Sequence, residues 1–201
     1  TAVSSTSNGT LRVWDLPDSR LRGQIAVGDY VASAAYSPDD ARIALGLNEA
    51  ILLIDAHSGE MAAELMMPEG SDAVHNRGDI TALAFDATGE RLLAANDGGE
   101  LILWDVAAGQ EMRRFVGHES RIHEVEFAPD GRTFLSAADD QQLILWDSET
   151  GGIVFTYANP TDTINSVAFS PSGQSFAAGM GTFRFAAAEI DPENMDTSIF
   201  I

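Results

Sequence analysis

Three side chains in the second half of the sequence have the types that a serine hydrolase uses, at His118, Ser136 and Asp140. In such an enzyme the histidine takes a proton from the serine hydroxyl, and the aspartate orients the histidine ring. Residue types alone do not establish this chemistry, because the same groups also form buried hydrogen-bond networks that only stabilise a fold. The elements that carry the three residues decide between the two interpretations.

Other candidates for catalysis or metal binding are few. The chain has no cysteine, and its four histidines, at positions 57, 75, 118 and 123, show no ligand spacing on one predicted element. The pairs Asp39-Asp40 and Asp139-Asp140 are explained by turns, in which aspartate is common. A site assembled from several repeats could use only His123 and Asp79. We therefore expect no metal, no cofactor and no enzymatic activity.

The charge of the chain limits the classes of partner that we expect it to bind. Thirty-one acidic and eleven basic residues, all of the latter arginine, give a net charge of −20 at pH 7. This balance argues against nucleic acid and anionic lipid, whose binding depends on positive charge. No stretch is long enough for a membrane span. The first ten residues lack the pattern of a secretory signal, which favours a cytoplasmic location, although a cysteine-free chain suits either side of a membrane.

Internal repeats organise the whole chain. Four β-favouring runs end on aspartate at positions 15, 55, 105 and 147, at intervals of 40, 50 and 42 residues. Between them, an aromatic residue precedes a turn-forming sequence at Tyr36, Phe85, Phe127 and Phe169. In the third unit this pattern predicts four strands, which we name a to d: Ile80–Phe85, Arg91–Ala95, Leu101–Asp105 and Glu111–Val116. Because helical periodicity is lacking, the sequence predicts an all-β fold.

The 42-residue spacing, with Trp-Asp at the end of strand c, resembles the WD-repeat family, whose units are four-stranded antiparallel blades of a β-propeller. Trp-Asp occurs at Trp14-Asp15, Trp104-Asp105 and Trp146-Asp147. The resemblance implies that His118, Ser136, Asp140 and Trp146 form the structural tetrad of the fourth unit, which explains all three hydrolase-like residues as a stabilising network.

Other units depart from this pattern. Ile54 replaces tryptophan in the second unit, and Ala94 takes the position of Ser136 in the third, which also lacks a Gly-His pair. The fifth unit has Ala188-Glu189 in place of Trp-Asp. We expect these blades to depend more on apolar packing than on a polar network.

The resemblance implies one propeller segment over residues 1–201. The expected blades are 1–27 (partial), 28–77, 78–117, 118–160 and 161–201 (degenerate). The first unit begins inside strand b, so the total is about 4.75 blades. Because families of this kind most often close rings of seven blades, we expect an incomplete arc of a larger propeller rather than a closed ring of five. The remaining blades or a fused domain would belong to the parent chain.

The resemblance also implies that the d-to-a and b-to-c loops gather on one face, which binds partners. Counting back from the strand-a aromatics predicts Tyr30, Asp79, Arg121 and Thr163 at its rim, and Ala32, Thr81, His123 and Asn165 at the mouth of the channel. An apolar column runs between the two sets: Val31, Ile80, Ile122 and Ile164. A plain solvated loop end is the alternative for any one of the polar residues.

The leading hypothesis is a non-enzymatic scaffold that presents this face to a protein or peptide. The alternative is a sensor or regulatory module that controls an enzymatic or signalling domain outside the segment. The loop around residues 66–77 is about eight residues longer than its equivalents, because Ile54 to Phe85 spans 31 residues and Trp104 to Phe127 spans 23. Its Met66-Met67 pair could contact a partner or finish strand d, with at least one methionine inside.

Overall fold

A computed structural model describes residues 2–5, 9–15, 18–67, 78–158, 163–181, 184–189 and 198–200. Every regular element in these ranges is a β-strand, and none of them contains a helix that is long and apolar enough to cross a bilayer. The strands form five antiparallel sheets, one for each predicted unit. The prediction of an all-β fold built from propeller blades is therefore confirmed.

In the described ranges, nineteen strands make up the five sheets. The first sheet contains β1 (Ala2–Ser5), β2 (Thr10–Asp15) and β3 (Arg20–Ala26). The second contains β4 (Ser33–Tyr36), β5 (Arg42–Gly46), β6 (Ala50–Asp55) and β7 (Met61–Met66). The third contains β8 (Ile80–Phe85), β9 (Arg91–Asn96), β10 (Leu101–Asp105) and β11 (Gln110–Phe115). The fourth contains β12 (Ile122–Phe127), β13 (Thr133–Ala138), β14 (Gln142–Asp147) and β15 (Ile153–Ala158). The fifth contains β16 (Ile164–Phe169), β17 (Ser175–Met180), β18 (Arg184–Glu189) and β19 (Ser198–Phe200).

Neighbours in each sheet are neighbours in sequence, so every sheet is a meander, and the four-stranded sheets run from strand a on the inside to strand d on the outside. The first sheet supplies strands b, c and d, as predicted. In the third unit the predicted bounds differ from the observed ones by one residue at most. Such accuracy is expected because tight turns and short apolar runs fix a hairpin locally.

The turn between strands a and b has the same backbone conformation at one equivalent position in four sheets. The fourth residue after the aromatic has a positive φ: 72° at Gly89, 68° at Gly131, 70° at Gly173 and 58° at Asp40. Glycine adopts this conformation without a steric penalty, and aspartate is one of the few other residues that tolerates it. The aromatic-turn motif therefore ends strand a at the same place in each unit.

The core lies between adjacent sheets rather than inside any one of them. One buried cluster joins the third and fourth sheets, where Phe115 packs edge-on to Phe134 and Trp146. Similar clusters join the first to the second, the second to the third and the fourth to the fifth. The apolar column of Val31, Ile80, Ile122 and Ile164 is buried in these layers, with at most 4% exposure.

Contacts between strands a also link consecutive sheets: β4 meets β8, β8 meets β12, and β12 meets β16. Strand β1, which is strand b of the first sheet, meets β4 as β5 meets β8, β9 meets β12 and β13 meets β16. Among the described residues, no comparable packing joins the fifth sheet to the first. The five sheets therefore form an open arc in the part of the chain that the structure describes.

Candidate functional site

The four tetrad residues of the fourth sheet form one connected hydrogen-bond network. The His118 ring lies 2.7 Å from Asp140 Oδ2 through Nδ1, and 2.6 Å from Ser136 Oγ through Nε2. The indole N–H of Trp146 donates to the same Ser136 Oγ at 2.7 Å. Asp140 Oδ2 also accepts the backbone N–H of Glu119 at 3.1 Å. A neutral histidine protonated on Nδ1 satisfies every group, because Ser136 then donates to Nε2.

This network is sealed from solvent. The exposed fraction of the side chain is 1% for His118 and 8% for Asp140, and Ser136 is fully buried. Burial lowers the pKa of His118, and the hydrogen bond to Asp140 offsets only part of that shift. A substrate cannot reach the Ser136 hydroxyl, which already accepts from Trp146. The geometry is that of a structural network, and the hydrolase interpretation has no support.

Gly117 precedes His118 for a steric reason. A Cβ at this position would lie 2.7 Å from Cη2 of Trp146. Any larger residue would therefore push the indole out of place, so the Gly-His pair and the tryptophan act as one unit.

The other two tryptophans meet different neighbours. Trp14 donates to Ser4 Oγ at 2.9 Å, so the first sheet has part of the same network. Trp104 faces Ala94 in the position of Ser136, and its buried Nε1 has no hydrogen-bond partner among the described residues. The sequence analysis missed Ser4, although Ser4 precedes Trp14 by ten residues, as Ser136 precedes Trp146.

Arg91 links the third sheet to the fourth. Its Nε donates to Asp86 Oδ2 at 2.9 Å, its NH2 group donates to the Gly131 carbonyl at 2.8 Å, and its guanidinium lies 5.3 Å from the centre of the Phe127 ring. Burial of Asp86 raises its pKa, but the hydrogen bonds from Arg91 and Thr88 outweigh that effect and leave the pKa below its ordinary value. The sequence analysis also missed this link, which spans one repeat.

Two glutamates join the fourth sheet to the fifth. Glu124 Oε2 accepts the backbone N–H of Val167 at 2.9 Å, and Glu126 Oε2 accepts that of Phe169 at 2.7 Å. Both acceptors lie on β12 and both donors on β16. Burial raises the pKa of Glu126, and the neighbouring charge of Glu124 adds to the shift. Among the described strands none pairs with that side of β16, so these bonds satisfy two of its amides.

The described residues just before strand a and those after strand b lie close together at one end of the third, fourth and fifth sheets. The backbone N–H of Asp97 donates to Asp79 O at 3.2 Å, and that of Asp139 donates to Arg121 O at 2.9 Å. Gly181 donates to Thr163 in the same way at 3.2 Å. We call this end the loop face, defined by residues 28–32, 47–49, 78–81, 97–100, 116–123, 139–141, 163–165 and 181.

A β-bulge shapes strand a on the loop face. The register of strand a against strand b skips Thr81 in β8, His123 in β12 and Asn165 in β16. A bulge leaves its extra residue unpaired and turns the side chain away from the regular pleat. The three residues are those predicted four positions before the aromatics, so a recurring backbone feature marks that column.

The predicted residues of the loop face differ in what they contact. His123 Nε2 lies 2.7 Å from Asp139 Oδ1, and both side chains are partly exposed. Thr81 donates its hydroxyl to the Ile122 carbonyl of the next sheet, so it links two sheets rather than pointing to solvent. Tyr30 is 53% exposed, and Arg121 is exposed.

The remaining residues predicted for the loop face are partly buried or contact neighbouring loop residues. Asp79 is half-buried and forms an isolated β-bridge with Asn48 of the second sheet. The Thr163 hydroxyl lies 3.3 Å from the Asn165 side chain, which is exposed. Ala32 is half-buried. Of the residues predicted for the loop face, Tyr30, Arg121 and Asn165 are therefore exposed, and His123 is partly exposed in its pair with Asp139.

The long loop is only partly described. Met66 ends β7 and is 48% exposed, whereas Met67 is 1% exposed and packs in the cluster between the second and third sheets. One methionine of the pair is thus inside, as expected. Residues 68–77, including His75, lie outside the described residues. Within the described ranges no group of three or more His, Asp or Glu side chains could hold a metal ion.

Comparison with known proteins agrees with the fold. The family model described as "WD domain, G-beta repeat" matches residues 70–105, 109–147 and 151–182, which together exceed half of the chain. The chain is 27% identical over 129 residues to cilia- and flagella-associated protein 52 of Chlamydomonas reinhardtii, covering 64% of this chain and 20% of that protein.

Two further relatives show a similar level of identity. Guanine nucleotide-binding protein subunit beta-5b of Danio rerio is 28% identical over 128 residues, covering 63% of this chain and 32% of its own. WD repeat-containing protein 82 of Drosophila melanogaster is 28% identical over 134 residues, covering 65% and 41%. The chain thus spans between a fifth and about two fifths of the length of these relatives. The repeat pattern, the sheet architecture and the match to the family model together show that the chain belongs to the WD-repeat family.

Proposed function

We propose that this chain is a non-enzymatic interaction scaffold that binds a protein or peptide on the loop face. The observation that carries the proposal is the strand-a bulge, which recurs in three consecutive sheets. Its Thr81 hydroxyl bonds to the next sheet, whereas the different side chains of His123 and Asn165 are at least partly exposed. A constant backbone that displays variable side chains is suited to recognition. Binding residues often lie on loops that a rigid scaffold positions.

The exposed groups of the loop face are suited to polar contacts around an aromatic anchor. Tyr30 offers an exposed ring, Arg121 offers a guanidinium, and the His123–Asp139 pair offers a charge-assisted donor and acceptor. Tyrosine and arginine are enriched among residues that dominate interface energies. The sealed Ser136 hydroxyl supports a binding role over a hydrolytic one.

The names of the relatives are compatible with such a role. One is a subunit of a guanine nucleotide-binding protein, and another is named as associated with cilia and flagella. Both names describe components of assemblies. They do not identify the partner of this chain, which we define only by the face that it contacts.

A pull-down with matched variants tests the proposal. The test variant combines Tyr30→Ala, Arg121→Glu and His123→Ala, and the control is Arg132→Glu, an exposed charge reversal in the a-to-b turn at the opposite end of the fourth sheet. A partner recovered by the wild-type chain and by the control, but lost with the triple variant, supports the proposal. Equal recovery by all three chains, or loss with the control alone, would overturn it.

A further inference from the structure

The outer strands of the first four sheets each have one edge that no other described strand covers. Among the described strands, β3, β7, β11 and β15 each pair with strand c alone. The other side leaves backbone N–H and C=O groups available for a further strand, and proteins commonly protect such edges with charged side chains. We therefore compare the four strands for charged side chains at equivalent positions.

The register gives the equivalent positions directly. Thr156 pairs with Ile144 as Arg114 pairs with Ile102, and as Glu64 pairs with Leu52. The charged side chains on the first three outer strands are Arg20 and Arg22 on β3, Glu64 on β7, and Glu111, Arg113 and Arg114 on β11. Strand β15, with the sequence IVFTYA, has none. It is also rich in β-branched and aromatic residues, so it is a strong strand former with an unprotected edge.

An apolar surface adjoins this edge. Ile153 is 50% exposed and Val116 is 87% exposed. The Cδ1 atom of Ile153 lies 3.4 Å from the point that a Cβ on Gly117 would occupy, so Ile153 borders the segment that contains Val116. An incoming strand could place an apolar side chain against these two residues. Main-chain pairing then supplies affinity, and the apolar contact supplies selectivity.

Charge decides which kind of strand would bind. The chain carries a net charge of −20, β14 ends on Asp147, and the turn that leads into β15 contains the exposed Glu149. A second copy of the chain would bring a further −20 to the contact, whereas a basic segment would be attracted. We propose that β15 is a docking edge for an extended, positively charged segment of a partner protein, which adds to the fourth sheet as a fifth strand.

Strand β15 contains no residue of the loop face, and of the two apolar side chains beside its edge only Val116 belongs to that face, so the site can be tested alone. The probe is the synthetic peptide acetyl-KITVTVK-amide, and the readout is the backbone amide chemical shifts of the 201-residue chain. We expect saturable shifts concentrated on residues 153–158. The peptide acetyl-KIPVPVK-amide has the same charge but cannot form a strand, and it should give no such shifts.

Two protein variants complete the test. Thr156→Lys places a charged side chain on β15, as the other three outer strands have. It should weaken binding of the peptide by about tenfold or more. Glu64→Lys makes a larger charge change at the equivalent position of β7 and should weaken binding by less than about threefold. Absence of shifts, equal shifts with the proline peptide, or equal weakening by both variants would each overturn the proposal. Shifts of the β15 amides that depend on protein concentration without peptide would identify a second copy as the occupant, and so would overturn it too.

Discussion

Trp146 donates its indole N–H to the hydroxyl of Ser136 at 2.7 Å, and the same hydroxyl bonds to His118 Nε2, so the two bonds connect strands b and c of the fourth sheet to the loop that carries His118. The third sheet lacks the equivalent bond, because Ala94 replaces the serine and leaves Trp104 Nε1 without a partner among the described residues. The packing of both indoles is similar, since they are 1% and 5% exposed. The two sheets thus show the same tryptophan with and without its polar network.

Ser136→Ala should destabilise the chain strongly. The substitution leaves a buried donor, Trp146 Nε1, and a buried acceptor, His118 Nε2, without partners, and each such group costs about 1–3 kcal/mol. We expect a loss of about 2–4 kcal/mol in the free energy of unfolding, measured by urea denaturation. Ser4→Ala is the matched control. Trp14 is partly exposed and can bond to water, so that loss should stay below about 1 kcal/mol. Equal losses would show that the network of the fourth sheet has no special weight.

Protonation of His118 should destabilise the fold at acid pH. Burial lowers the pKa of this ring below its ordinary value of 6.5, so the unfolded chain takes up the proton first as the pH falls. The stability that the neutral ring contributes is therefore fully present above pH 6.5 and is lost as the pH falls below that value. The measurement is Tm between pH 7.5 and about 5, compared with His118→Gln, which keeps a donor and an acceptor but does not titrate. If the two pH profiles are parallel, His118 is not the titrating group.

The strands could be predicted from sequence, whereas most contacts between sheets could not. Aromatic residues, Gly and Asp in tight turns are local information, and they placed Ile80–Phe85 and Leu101–Asp105 at their observed bounds. The link from Arg91 to the Gly131 carbonyl depends on how two sheets are positioned, and no local pattern encodes it. Likewise, Thr81 was expected at the channel mouth, yet its hydroxyl bonds to the next sheet. Composition identifies a side chain as polar, but only the packing of the sheets determines its partner.

Asp86 and Arg91 should be energetically coupled. Asp86 is 3% exposed, and its carboxylate accepts from the Arg91 guanidinium and from two backbone amides, so loss of either side chain leaves the other poorly satisfied. A double-mutant cycle with Asp86→Ala and Arg91→Ala should give a coupling energy of about 1–3 kcal/mol. The exposed pair Glu111–Arg114 is the matched control, at the same 2.9 Å separation, and should give about 0.5 kcal/mol or less. Similar values for the two pairs would contradict the role assigned to burial.

Glu126 should make the contact between the fourth and fifth sheets sensitive to pH in the opposite direction to His118. Burial raises the pKa of this carboxyl above its ordinary value of 4.5, so its ionised form is disfavoured in the folded chain. The stability associated with the protonated form is present below pH 4.5 and is lost as the pH rises through the raised pKa. Glu126→Gln keeps an acceptor for the Phe169 amide without the charge. The difference in Tm between this variant and the wild type should therefore be positive at pH 7.5 and should shrink as the pH falls toward 4.5. A difference that is constant with pH would show that the carboxyl titrates alike in the folded and unfolded chain, and one that grows on acidification would reverse the assigned direction of the shift.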